Sequence, residues 1–318
     1  MFYGLVIFIS AFLIFLVQPL IAKQILPWFG GSAAVWGTCL LFFQTALLAG
    51  YAYADALSRW LTLRRQVILH TTLLLLAALA MPIIAAEHWR PSGDEEPVSR
   101  IIGLLIATIG LPYFLLATTT PLVGAWYWRR YQQSAPYRLF ALSNFASLLA
   151  LLGFPLVMEP WIGNREIALV WSGLFVVFAI LCAALGWSTE RNAQRTFTSE
   201  RVAAEPQPGA GHLFIERPNH ALPDWLFWIG LSALGSAMLL GVSSHLTQNI
   251  SSAPLLWVVP LSLYLVTFII SFDHPRWYMR PLFLPLAAVL VPLMAWLSDS
   301  LELAMVTPIY AAGLFVVC

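Results

Sequence analysis

Windows of about 20 apolar residues, nearly free of charge, recur along this chain from end to end. Each is long enough to cross the roughly 30 Å hydrocarbon core of a bilayer as a helix. Inside lipid the backbone must satisfy its own polar groups, so a solid apolar run of that length is helical. A membrane barrel needs a polar residue at every second position, and these runs do not alternate. Composition agrees: 60% of the 318 residues are hydrophobic and 10% are charged, against about 25% charged in soluble domains. The fold class read from the chain is all-α, polytopic and membrane-embedded.

Ten spans are expected, near 2–22, 33–57, 67–86, 101–126 (with a break at Pro112), 139–158, 167–187, 225–244, 255–272, 282–297 and 304–318. Six of them form a first bundle over residues 1–187. A polar, Pro/Gly-rich stretch at 188–223 reads as a cytoplasmic linker, mobile by composition. Residues 224–318 open a second bundle, and the layout is that of two-bundle secondary transporters. The chain stops inside an apolar run at Cys318, so a continuation is expected. Loops after even-numbered spans carry twelve of the sixteen arginines and lysines. That bias places the even loops and the N-terminus in the cytoplasm. The first ten residues, MFYGLVIFIS, lack a basic start and a small-residue cleavage site, so the first span is read as retained. Cys39, Cys182 and Cys318 lie far apart in apolar runs and read as small buried hydrophobes.

The stretch from Gln18 to Asp55 carries the densest polar content at membrane depth. Its turn holds Pro27, Gly30, Gly31 and Ser32, with Ser32 as the expected N-cap of the second span. So short a link makes the first two spans expected antiparallel neighbours. Gln18, Lys23, Trp36 and Gln44 sit in or beside these spans, where polar groups are costly without partners. Lys23 can also simply snorkel to the interface. In the fifth span Ser143, Asn144 and Ser147 share a face, either toward a cavity or as polar contacts between helices. Glu159 lies at the outer end of that span, facing a substrate or solvent. His245 ends the seventh span and can couple a proton or be satisfied by water. His70 reads as structural.

Several stretches carry a family resemblance. Gly50, Asp55, Arg59 and the pair Arg64–Arg65 resemble the loop between spans two and three of major facilitator transporters, where Asp and Arg pair to bias open and closed states. Asp55 and Arg59 are the gating candidates this implies. Read together, QPLIAKQILPWFGGSAAVWGTCLLFFQTALLAGYAYAD, YRLFALSNFASLLALLGFPLVMEPWIG and LLGVSSHLTQNISSAPLLWVVPLSLYLVTFIISF resemble the bacterial family of fused major-facilitator/spermidine-synthase-like membrane proteins. The resemblance implies a major-facilitator-like helical bundle, a bacterial inner-membrane location and a C-terminal aminopropyltransferase-like domain. No strand–Gly-rich turn–helix unit occurs in these residues, so that domain, if present, lies beyond Cys318, and no catalytic residue carries over.

The expected function is binding or movement of a small solute through a cavity between the bundles. Gln18, Lys23, Trp36, Gln44, Asn144 and His245 are the candidates to line it. An amine or polyamine is suggested by the resemblance alone, and the scarcity of acidic residues in the spans argues against a polycation. The alternatives are a non-transporting anchor for an aminopropyltransferase-like domain and a structural subunit of a membrane complex. Expected partners are the lipid bilayer, a small solute and a C-terminal domain or partner subunit. No cofactor, metal site or nucleic-acid surface is read from the sequence.

Overall fold

Helix is the regular structure throughout the described part of the computed structural model, which covers residues 2–30, 33–91, 96–131, 137–203, 222–250, 258–277, 279–297 and 303–318. The helices are α1 (Phe2–Phe29), α2 (Ala33–Trp60), α3 (Leu63–Leu79), α4 (Pro97–Leu105), α5 (Leu111–Tyr131), α6 (Tyr137–Gly153) and α7 (Asn164–Ala203). They continue with α8 (Leu222–Ile250), α9 (Val258–Asp273), α10 (Arg280–Trp296) and α11 (Leu303–Val317). Six stretches are long and apolar enough to span a membrane: Phe2–Phe29, Ala34–Trp60, Pro97–Tyr131, Arg138–Met158, Asn164–Ala193 and Leu226–Ser243. Val258–Asp273, Arg280–Trp296 and Thr307–Val317 are shorter apolar helices. Together with α3 these fall where the ten apolar runs were expected. Large apolar side chains such as Leu41, Leu48, Leu75, Ile106 and Ile180 point outward, the surface that a bilayer covers.

Prolines shape the helices differently from the expectation. Pro27 does not end α1, which runs on to Phe29. Termination falls at Gly30, whose φ of 79° suits glycine and whose amide closes onto the Leu26 carbonyl at 2.8 Å. Residues 97–131 form one continuous helical rod, with a π turn at Ile106–Gly110 where a break at Pro112 was expected. Pro112 offers no N–H to the carbonyl of Thr108 four residues back, and its ring crowds that carbonyl. Widening the preceding turn absorbs both effects. A second π turn, Phe154–Met158, contains Pro155, and Glu159 donates its amide five residues back to Phe154 at 2.8 Å.

The expected third span is helical only to Leu79. Residue 81 precedes Pro82 and is biased toward extended backbone, and 81–86 carry no regular structure. Ile83 and Ala85 are nevertheless buried. Irregular backbone is tolerated at such depth only when protein satisfies it. Here Ser172 Oγ accepts the Ile83 amide at 3.2 Å, and Gln24 Oε1 accepts the Ala85 amide at 3.0 Å. Ser32 and part of the expected linker lie outside the described residues. Of that stretch, residues 188–203 continue α7 and residues 222–223 open α8.

The chain divides into two compact units, Met1–Phe197 and Thr198–Cys318. In the first, α1 packs chiefly on α6 and α5 and touches α2 only slightly, contrary to the expected pairing of the first two spans. In lipid, apolar burial does not choose partners, and close approach at small residues does. Gly4 lets α1 approach Leu139 and Leu142 of α6. Gly50 lets α2 approach α5, where an added Cβ would sit 2.8 Å from the Ala117 Cβ and 3.1 Å from the Phe114 carbonyl oxygen. Contacts at both ends set the directions. Gly4 lies by Leu139 and Lys23 by Glu159, so α1 and α6 are parallel. Tyr3 reaches Thr189 and Leu13 reaches Trp171, so α7 is antiparallel to α1. Gly50 meets Ala117 and Ser58 meets Arg129, so α2 and α5 are parallel.

The second unit is built on α11. Its Leu314 is fully buried, and its Tyr310 hydroxyl donates to the Met294 carbonyl of α10 at 2.8 Å. Gly313 abuts the Met294 sulfur, which a Cβ would displace.

Candidate functional site

Polar side chains of the first unit gather in three places. At the α2–α3 turn, α2 ends with unpaired carbonyls, as every helix does. Gln66, with 0% of its surface exposed, answers them. Its Nε2 donates to the Leu57 carbonyl at 2.9 Å and to the Leu61 carbonyl at 2.8 Å. Its Oε1 accepts from Trp126 Nε1 of α5 at 3.2 Å. Arg129 adds a bond from its guanidinium to the Ser58 carbonyl at 3.1 Å. The corner therefore ties α2, α3 and α5 through side chains that close helix-end carbonyls. Asp55 and Arg59 lie on the same end of α2, 2.7 Å apart at i,i+4 and about half exposed.

Deeper in the unit, Gln18 of α1, Tyr113 of α5 and Tyr51 of α2 come together. Gln18 and Tyr51 both lie close enough to the buried Tyr113 hydroxyl to act on it. Phe42 and Phe43 pack against the Tyr113 ring, with centroids 6.4 and 5.1 Å away. Gln18 Nε2 also reaches the Ile14 carbonyl of its own helix at 3.4 Å. Of the three, Tyr113 is buried, Gln18 is half-buried and Tyr51 is exposed.

The third group sits at the opposite end of the unit. Lys23 Nζ and Glu159 Oε1 are 3.0 Å apart and both partly exposed, 39% and 34%. Lys23 is thus the partner of the carboxylate at the end of the α6 rod. Gln24, next to it, holds the 81–86 segment at its two buried residues, Ile83 and Ala85.

Other residues singled out from the sequence sit elsewhere. Trp36 is half-buried near the start of α2. Gln44 faces out of the first unit on the stripe of Leu40 and Leu48, which lie four residues to either side. Asn144 turns back on its own helix, donating to the Phe140 carbonyl at 2.9 Å. His245 belongs to the second unit, stacked on Tyr310 with centroids 4.7 Å apart. Sequence reasoning passed over Gln66, Tyr51 and Tyr113. It also left Glu190 outside the spans, although Glu190 is buried on α7. Among the described residues no three His, Cys, Asp or Glu side chains gather to hold a metal ion.

Helix length and composition define this chain as a multi-pass helical membrane protein. Compared with known proteins, it matches no family model, no curated protein and no solved structure. The resemblance read from its motifs therefore rests on those motifs alone.

Proposed function

We propose that the first unit is a transporter-like bundle that binds a small polar solute among α1, α2 and α5, in a bacterial inner membrane. The observation that carries this reading is the meeting of Gln18, Tyr51 and Tyr113 from three separate helices. A purely structural membrane helix has little need for such a group, because intramembrane polar side chains are costly and tend to mark ligand paths. The two π turns beside proline support the reading as well, since such turns recur at functional sites. The solute class favoured is neutral or singly charged. The carboxylates of Asp55 and Glu159 are each already paired with a cation, which leaves them little attraction for a polyamine. A major-facilitator-like arrangement and an aminopropyltransferase-like domain beyond Cys318 are part of the same proposal, supported by the motif resemblance.

The test is thermal stability of the purified protein against a panel of neutral polar solutes, monoamines and polyamines, repeated with Gln18→Leu and Tyr113→Phe. A solute that raises the midpoint in the natural chain and fails in both variants supports the reading. No response across the panel, with unchanged solute flux in cells carrying either variant, would sink it. The membrane-anchor reading would then stand. One observation already favours the anchor: Asn144, Ser147, Thr118 and Thr119 all spend their hydrogen bonds on their own helices.

A further inference from the structure

The solute proposal does not use two buried polar groups at the α2–α3–α5 junction. His70 of α3 is 1% exposed, and neither of its ring nitrogens has a hydrogen-bond partner among the described residues. The Tyr53 hydroxyl of α2 is likewise closed off and unpaired. The two rings are neighbours, with centroids 6.1 Å apart and planes inclined by 30°. Trp126 meets the His70 ring edge-on at 6.1 Å, and Phe114 lies against Tyr53 at 5.1 Å. Trp126 cannot serve the imidazole, because its one N–H is committed to Gln66. Gln66 lies one helical turn before His70, and both N–H donors of its amide are spent on the Leu57 and Leu61 carbonyls.

Buried polar atoms in native interiors are paired with protein or with ordered water, and each exception calls for a partner. Here the exceptions come as an adjacent pair with complementary chemistry. A neutral imidazole has one donor and one acceptor, and a tyrosine hydroxyl has one donor and two acceptor sites. A water molecule, with two of each, can accept from one group and donate to the other. Buried waters typically make about three such bonds. We infer that a water molecule is bound between the Tyr53 hydroxyl and the His70 imidazole at the junction of α2, α3 and α5. It extends the polar contacts of the α2–α3 turn inward, from Arg129 and Gln66 past Trp126 to the interior of the unit. The inference stands whether or not the unit carries a solute.

His70 is the one histidine that follows a leucine. Labelling leucine at the carbonyl carbon and histidine with carbon-13 and nitrogen-15 therefore identifies its ring nitrogens in the full chain, through the Leu69–His70 bond and along the histidine carbons. Solid-state NMR in liposomes, in buffer free of other small solutes, should show transfer of magnetisation from water to a His70 ring nitrogen. Tyr53→Phe should reduce that transfer by half or more. A ring nitrogen that receives nothing from water, while exposed histidines do, overturns the inference. Thermal midpoints provide a second reading. Tyr53→Phe and His70→Phe should each lower the midpoint, and the double variant should lose less than the two losses combined. Additive effects, or a rise in either single variant, count against a shared water.

Discussion

Replacing Gln66 by leucine keeps the volume of the side chain close to constant and removes its hydrogen bonds. Three are lost: two donated to the Leu57 and Leu61 carbonyls and one accepted from Trp126. Interhelical hydrogen bonds in membrane proteins contribute about 0.6–1.7 kcal/mol each. Orphaned buried partners raise the cost toward about 1–3 kcal/mol per group. The Leu57 carbonyl is spared the full effect, because it still accepts the Leu61 amide at 3.1 Å. The Leu61 carbonyl and the Trp126 indole N–H lose the Gln66 bonds outright. Gln66→Leu should therefore destabilise the first unit by about 2–3 kcal/mol. Detergent-titrated unfolding of the purified protein, followed by tryptophan fluorescence, measures this directly. Arg65→Gln, at an exposed neighbour, is the control and should stay within about 0.5 kcal/mol. A Gln66→Leu loss no larger than that of the control would refute the argument that this side chain ties α2, α3 and α5 together.

Gly50→Val should lower the unfolding midpoint well below that of Gly124→Ala, because an added Cβ at Gly50 meets Ala117 and Phe114 of α5 and one at Gly124 meets nothing within 4 Å; such overpacking costs about 1–3 kcal/mol, and equal midpoints would contradict the close α2–α5 approach. Cysteines at Lys23 and Glu159, in a chain whose native cysteines are replaced by alanine, should join rapidly with a short bis-thiol reagent, since the native side chains are 3.0 Å apart. Failure to cross-link would separate the ends of α1 and α6. The orientation expected from the arginine bias puts position 64 in the cytoplasm and position 90 outside. A membrane-impermeant thiol reagent added to intact cells should then label Arg90→Cys and spare Arg64→Cys, and the reverse pattern would invert the orientation.

The membrane class and the placement of the helices were legible in the sequence because both follow from one-dimensional rules. Apolar length decides whether a helix can span, and lipid forbids unpaired backbone, so ten runs became ten helical stretches at nearly the expected positions. Proline marked a disturbance near Pro112 but not at Pro27, which lies inside α1. The form of the disturbance, a π turn before Pro112 instead of a break, depended on the rest of the rod staying intact. Tertiary structure decided which helices touch. Sequence adjacency suggested α1 beside α2, yet α1 packs on α6, because lipid removes the hydrophobic drive and leaves selection to small residues whose partners are distant in the chain. The same holds for the polar groups. Gln18 could be singled out by its depth, but its meeting with Tyr113, some ninety-five residues away, is a product of that packing. Gln66 was not singled out in the sequence, because its burial comes from the packing of α2 and α5 around it. A polar residue in a membrane helix advertises a cost in the sequence, and only the fold determines whether its own helix, a neighbour or a bound molecule meets it.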